Sequence, residues 1–204
     1  YSITALPANT FATAINNAGQ VVGEVAVGTE GHAFIWAGGV LTDLGSVGTA
    51  SAARAISNNG LVAGYTVAGE QIRAFLHDGT GMVPLGTLGG ANSTGHGVNS
   101  LGQVVGQSNN AEGAFRGFLY SGGTMTDLGT LGGDFSFAGG INTRGQVVGE
   151  SSLSFDPIAD VHAFVYEDGA MRDLGTLGGR ISSATAINDL GLIAGYSYTV
   201  GSVE

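Results

Sequence analysis

The chain has 204 residues, of which 38 are Gly and none is Cys, and its formal net charge at pH 7 is −10. The negative charge argues against nucleic-acid binding, because phosphate backbones are bound through basic surfaces. The lack of Cys removes disulfides, thiolate metal sites and cysteine nucleophiles, and no apolar run approaches the ~20 residues of a membrane-spanning helix.

The chain begins with an alternating segment, Tyr1 to Leu6, which predicts one β-strand before the turn at Pro7. Aligned with the later repeats, this segment matches the fourth and outermost strand of a repeat unit. No partner strand lies near it in the sequence. We therefore expect it to pair with the C-terminal end of the chain.

Five related hairpins follow the N-terminal segment. Each has a first strand rich in small residues, a polar turn that ends in Gly, and a second strand rich in Val, Leu or Ile. Their anchor residues are 41, 42, 43 and 46 positions apart: Ile15, Ile56, Val98, Ile141 and Ile187. This regular spacing identifies an internal repeat.

Four of the hairpins continue into a third and a fourth strand. The third strands are His32 to Trp36, Arg73 to His77, Arg116 to Tyr120 and His162 to Tyr166. Four short strands per ~42-residue unit, joined by Gly turns, are typical of a β-propeller blade. We therefore predict an all-β, five-bladed β-propeller in a single domain. It has an outer strand at 1–6, blades at about 10–48, 51–90, 93–133 and 136–179, and a partial fifth repeat at 182–204, so that both termini share the fifth blade.

The tripeptides His32-Ala33-Phe34 and His162-Ala163-Phe164, with the heptapeptides that begin at Asp127 and Asp173, resemble the HAF-type repeats of probable extracellular bacterial proteins. The resemblance implies a β-propeller-like fold and an extracellular or cell-surface location. It implies no activity. The sequence departs from the motif at Arg73 and Arg116 in place of His, Gly117 in place of Ala, and Pro84 in place of Asp.

One first-strand position differs in almost every repeat, where it reads Thr13, Arg54, His96, Gly139 and Thr185. Positions that vary between repeats can carry a site that breaks the symmetry of the ring. Arg54 and His96 are therefore predicted to face a ligand, and Tyr65 and Tyr196 are predicted aromatic contacts for a glycan. The alternative is that this position varies because no function constrains it.

The remaining polar residues of the repeats predict structural roles and no metal or cofactor site. Arg replaces the His of the third strand in two repeats, and Arg does not replace a metal ligand. Asp43, Asp127 and Asp173 are expected to bond the backbone of the Gly turn that follows them. Asp156 and Asp160 share the longest loop but lack the dense Asp spacing of a calcium loop. Loops 109–113 and 152–160 are candidate recognition segments or merely tolerated insertions.

The fifth repeat stops after its second strand, which leaves three interpretations. The sequence is a fragment, the fifth blade has three strands, or another chain fills the gap by strand addition. The last predicts an interface at Tyr1, Ile3, Leu6, Tyr196 and Tyr198. The predicted function is a non-catalytic extracellular structural or interaction protein that self-associates or binds another surface protein. A glycan-binding, lectin-like propeller is the alternative, and an enzyme is the third interpretation.

Overall fold

The computed structural model describes residues 3–156 and 160–201. These residues form eighteen β-strands and no helix, which confirms the all-β prediction. It follows that no helix in the described ranges could cross a membrane.

The strands fall into five consecutive units. Unit one contains β1 (Thr10–Ile15), β2 (Val21–Val27), β3 (Glu30–Ala37) and β4 (Val40–Asp43). Unit two contains β5 (Ala50–Ile56), β6 (Val62–Ala68), β7 (Gln71–His77) and β8 (Met82–Pro84). Unit three contains β9 (Gly89–Val98), β10 (Val104–Asn110), β11 (Phe115–Ser121) and β12 (Thr124–Asp127). Unit four contains β13 (Ser136–Ile141), β14 (Val147–Ser152), β15 (Val161–Glu167) and β16 (Ala170–Gly175). Unit five contains β17 (Gly178–Ile187) and β18 (Ile193–Thr199).

Units one to four are antiparallel sheets whose strands pair in chain order. Unit five is an antiparallel hairpin, joined to unit four by one parallel bridge between Val161 and Ile181, so that the last sheet has six strands. The first strands of successive units contact one another in the order β1, β5, β9, β13 and β17. No contact of comparable extent joins β17 back to β1 within the described ranges.

The turn between the first two strands of a unit depends on one buried Asn. The Asn16 side-chain oxygen accepts the backbone N–H groups of Ala18 and Gln20, and its amide nitrogen donates to the Gln20 side chain at 2.7 Å. Gly19 then takes a φ of 74°, which only Gly adopts without strain. Asn99 and Asn142 repeat this arrangement in units three and four.

The core lies between adjacent units. Three third-strand rings, Phe75, Phe118 and Phe164, are fully buried in clusters that join two units, and Phe34 of unit one is also fully buried. A buried Ser also joins each neighbouring pair of units. The Ser51 hydroxyl accepts the N–H of Ala33 at 2.8 Å and donates to the Gly45 carbonyl oxygen. The same contacts recur at Ser93, Ser136 and Ser182.

The predicted pairing of Tyr1 to Leu6 with the C-terminal repeat is absent from the described residues. Residues 3–6 belong to no strand, and β18 pairs with no strand other than β17. The reason is that a fourth strand pairs with a third strand, and the described part of unit five has no third strand. Tyr1 itself lies outside the described residues.

Candidate functional site

A β-bulge in each first strand turns one side chain toward a central cavity. In unit two, Ala53 faces Gly64 and Ala55 faces Ala63, so Arg54 is the extra residue of the bulge. A Cβ on Gly64 would overlap the carbonyl oxygen of Ala52, which explains why Gly stands opposite the bulge. The other bulge positions are Thr13, His96, Gly139 and Thr185.

All five bulge residues line one cavity of about 850 Å³. Each second strand has a Gly opposite the bulge, and the residue after this Gly also lines the cavity in four units. These residues are Tyr65, Gln107, Glu150 and Tyr196. The structure thus brings the four predicted ligand residues, Arg54, Tyr65, His96 and Tyr196, into one cavity. Ligand binding by them stays a prediction.

Sequence reasoning missed Gln107 and Glu150 as lining residues. They occupy the repeat position of Tyr65 and Tyr196, so an alignment of all five second strands contains the signal. Phe137 also lines the cavity and was missed, because it precedes the bulge and has no polar group to draw attention.

The cavity has a mixed polar and apolar lining and contains one permanent positive charge. The Arg54 guanidinium lies over the Tyr65 ring, 5.4 Å from its centroid. No carboxylate in the described part of the chain forms an ion pair with Arg54. Glu150 is the one carboxylate among the described lining residues. The cavity therefore combines an unpaired cation with an acceptor and aromatic surfaces.

His96 is open to the cavity, yet protein surrounds the rest of its ring. Desolvation lowers the pKa of His96 below its ordinary value, and the charge of Arg54 lowers it further. Its Nε2 atom lies 3.0 Å from the Thr94 hydroxyl oxygen. At pH 7 the His96 ring is therefore neutral and leaves Arg54 as the cation of the cavity.

A second candidate site lies where units four and five meet. The junction of units three and four buries six apolar residues together: Val105, Leu128, Ala138, Val147, Phe164 and Ile141. By repeat position, the first four correspond to Val148, Leu174, Ala184 and Ile193 at the next junction. The described part of unit five holds no counterpart of Phe164. The junction therefore lacks its aromatic ring.

The missing ring leaves apolar surface open. Ile193 is 39% exposed whereas Val147 is 0% exposed, and Leu174 is 38% exposed whereas Leu128 is 5% exposed. A cavity of about 220 Å³ lies between them, and Ala163 and Ala184 also line it. Beside it, the outer edge of β18 over residues 193–198 pairs with no strand of the described chain, whereas Thr199 forms a bridge with Leu177. We call this cavity and the free β18 edge the strand socket.

The predicted interface residues within the described ranges lie on both sides of the opening between unit five and unit one. Tyr196 and Tyr198 are in β18, with ring centroids 6.2 Å apart in an edge arrangement. Ile3 is fully exposed. Leu6 lines a groove on unit one together with Ala14, Val21 and Trp36, among others. The structure holds no partner there, so an interface stays a prediction.

The predicted structural role of the repeated Asp residues is confirmed. Asp43 accepts the N–H of Gly45 at 2.7 Å, and its other oxygen lies 3.0 Å from His32 Nδ1. Asp127 and Asp173 accept the N–H of the Gly two residues later in the same way. In unit four, His162 Nδ1 makes the equivalent contact with an Asp173 carboxylate oxygen at 2.8 Å. The His–Asp pairs link the third and fourth strands of units one and four.

Arg73, where unit two lacks the Asp, donates instead to the carbonyl oxygen of Ala91 in unit three. Arg116 likewise donates to the backbone carbonyl oxygen of Asp134. The described residues contain no group of three or more His, Cys, Asp or Glu side chains placed to hold a metal ion. Asp160, in the longest loop, forms an ion pair with Arg180 at 2.7 Å, and residues 157–159 of that loop lie outside the described residues.

In comparisons with known proteins, no family model matches the chain, and no curated protein matches it. The resemblance to HAF-type repeats therefore rests on the motifs alone.

Proposed function

We propose that this protein is a non-catalytic interaction protein that takes up one β-strand of a partner chain at the strand socket. In this proposal the five units are the blades of a five-bladed β-propeller, and the partner strand is the third strand of the fifth blade. The main observation that supports this proposal is the open apolar cavity between units four and five. At the equivalent place between units three and four, Phe164 is buried.

The chemistry of the partner strand follows from the four third strands that occupy equivalent places. Each carries His or Arg, then Ala or Gly, then the buried Phe. The small residue matters because its N–H bonds the buried Ser of the next unit, as Ala33 does with Ser51. Thr10 stands three residues before the bulge of unit one, as Ser51 does in unit two. We therefore expect the Thr10 hydroxyl to accept the corresponding N–H of the partner strand.

Two kinds of contact stabilise such a complex. The partner strand adds backbone hydrogen bonds along the free edge of β18, which is how strands add to open sheets. Its Phe fills the cavity beside Ile193 and Leu174, and burial of a Phe side chain contributes ~1.5–3 kcal/mol. The first contact supplies affinity for any extended peptide, and the second selects a strand with an aromatic residue at one position.

The N-terminal segment has a place in the complex. As a fourth-strand sequence, Tyr1 to Leu6 can pair with the outer edge of the captured strand, with Ile3 and Leu6 near unit one. This pairing completes the fifth blade. It also explains why residues 3–6 belong to no strand when the third strand is absent.

The partner is a second protein chain with the same type of repeat. We propose that the interaction takes place outside the cell or at its surface, in keeping with the resemblance to extracellular repeats. Head-to-tail self-association, with residues 1–6 of one copy on β18 of the next, is the competing mode. Sedimentation of the purified chain alone separates the two modes, because only self-association gives a concentration-dependent increase in mass.

The deciding experiment uses a labelled peptide of residues 160–176, which contains the third and fourth strands of unit four. We expect saturable binding by fluorescence anisotropy. The matched control peptide carries Phe164→Ala and should bind about 10- to 100-fold more weakly, since it loses the buried ring. Equal binding of the two peptides would exclude the socket as the binding site, and binding of neither would reject the proposal.

A matched pair of protein variants tests the location. Ile193→Asp places a charge in the socket and should abolish peptide binding. Leu190→Asp changes an equally apolar but 81% exposed turn residue outside the socket and should leave binding unchanged. Because Ile193 is already partly exposed, both variants should remain folded, which circular dichroism checks.

A further inference from the structure

We infer that the central cavity binds a small monocarboxylate of the sugar-acid type, with its carboxylate on Arg54 and its hydroxyl groups on the polar wall. This site adjoins the strand socket, since Ser183, Ala184 and Tyr196 line both cavities. It requires no partner chain, and its ligand differs in class from a β-strand.

Arg54 has the features of a carboxylate-binding group. It is the bulge residue of β5, so the backbone itself turns the side chain toward the cavity. Its guanidinium carbon lies over the Tyr65 ring, 5.4 Å from the centroid. The planar fork of a guanidinium binds carboxylates through two parallel hydrogen bonds. In a chain with a net charge of −10, an Arg without a carboxylate partner in the described residues is a notable cation.

His96 supplies a second donor beside Arg54. It is the bulge residue of β9, the next first strand in the ring. Its Nε2 is engaged with the Thr94 hydroxyl group, and no described residue hydrogen-bonds to its Nδ1. With the hydrogen on Nδ1, the neutral ring donates to the same carboxylate as Arg54. The Thr94 contact then selects this tautomer by donating to Nε2.

The rest of the wall selects the body of the ligand. Gln107 and Glu150 present amide and carboxylate groups to the cavity, and these accept hydroxyl hydrogens. Phe137 and Tyr196 present apolar ring surfaces. A cavity of about 850 Å³ is within the range of small-molecule sites. Glu150 also repels a second negative charge, so a monoanion is preferred over phosphate, sulfate or a dicarboxylate.

The test titrates the protein by calorimetry with glucuronate and galacturonate. The parent sugars glucose and galactose lack the carboxylate, and acetate lacks the hydroxyl groups. We expect a uronate to bind at least tenfold more tightly than its parent sugar and than acetate. Binding of neither uronate overturns the inference, and acetate binding as tightly as a uronate overturns its sugar part.

Three variants locate the site. Arg54→Gln should weaken uronate binding at least tenfold, and Arg54→Lys, which keeps the charge but loses the planar fork, should fall between it and the native protein. Arg144→Gln removes an exposed Arg that does not line the cavity and should have no effect. If Arg54→Gln fails to fold, Arg54→Lys and His96→Gln carry the test. Native affinity in all folded cavity variants would overturn the assignment.

Discussion

Asn16 and Ser57 are 41 positions apart in the sequence, yet the side-chain amide of Asn16 donates to the carbonyl oxygen of Ser57 at 3.0 Å. The same link joins Asn99 to Asn142, and Asn142 to Asn188. Unit two has Ser in place of this Asn, and Asn59 reaches the Ser100 carbonyl oxygen instead. At least one hydrogen bond thus connects the first turn of each unit to that of the next, up to Asn188.

Asn142 and Asn188 form a matched pair for measuring this link. Both accept two backbone N–H groups of their own turn, but Asn142 is buried and also donates to the Gln146 side chain and to the next unit, whereas Asn188 is exposed and has Leu192 in place of the Gln. We expect Asn142→Ala to lower the free energy of unfolding by about 1–3 kcal/mol more than Asn188→Ala. Urea unfolding measures both. Equal losses would mean that the local turn, and not the link between units, determines the effect.

The Gly residue opposite each bulge should tolerate no side chain. A Cβ on Gly64 would overlap the backbone of Ala52 in the paired strand, which cannot move without breaking the sheet. We expect Gly64→Ala to destabilise the protein by about 1–3 kcal/mol or to prevent folding. Gly81→Ala is the control, because a Cβ there meets no atom within 4 Å and the backbone is not in the left-handed region. Thermal melts that fail to separate the two variants would contradict the role of the bulge.

The repeat pattern predicted the strands well because each unit uses the same local rules. The first-strand position that differs most between repeats also identified residues that share the central cavity. Its five residues are Thr13, Arg54, His96, Gly139 and Thr185. The strand closure by Tyr1 to Leu6 was predicted from the repeat pattern but is absent from the described residues, since this pairing requires a third strand in unit five. Glu150 and Gln107 were missed because they differ chemically from Tyr65 and Tyr196, which occupy the same repeat position. The structure shows that all four face the cavity that Arg54 lines.

The stability of the protein should fall as the pH is lowered through the ordinary pKa of His. The pKa values of His96 and His77 are both lowered, chiefly by desolvation. The unfolded chain therefore binds more protons than the folded chain near and below pH 6.5, so this contribution is present at pH 7.5 and is lost on acidification. Urea unfolding at pH 7.5 and 5.5 measures the loss. His96→Gln should reduce it, and His77→Gln should remove a separate part; an unchanged loss in both variants would contradict this assignment.

Uronate binding should have the opposite pH dependence. A bound carboxylate favours protonated His96, so its pKa is higher in the complex and a proton is taken up on binding. The other charged or titratable groups that line the cavity are Arg54, Tyr65, Glu150 and Tyr196. Of these, Arg54 opposes protonation of His96 in the free protein. We expect uronate affinity to rise between pH 7.5 and 5.5 in the native protein and to stay nearly flat in His96→Gln, as calorimetry at both pH values would show.

Removal of residues 1–6 should weaken strand capture without unfolding the free protein. Ile3 is fully exposed and residues 3–6 belong to no strand, so the free protein loses little stability when they are deleted. In the complex, the same residues are expected to form the fourth strand on the captured peptide and to slow its release. Because the residue 160–176 peptide supplies its own fourth strand, the shortened protein should bind it with nearly unchanged association and dissociation rates, as surface plasmon resonance would measure. A shorter peptide that ends at Glu167 keeps the third strand but not the fourth, and it leaves the outer edge free for residues 1–6. The effect of the deletion should be larger for this peptide, and an equal effect on both peptides would contradict the closure of the fifth blade by the N-terminus.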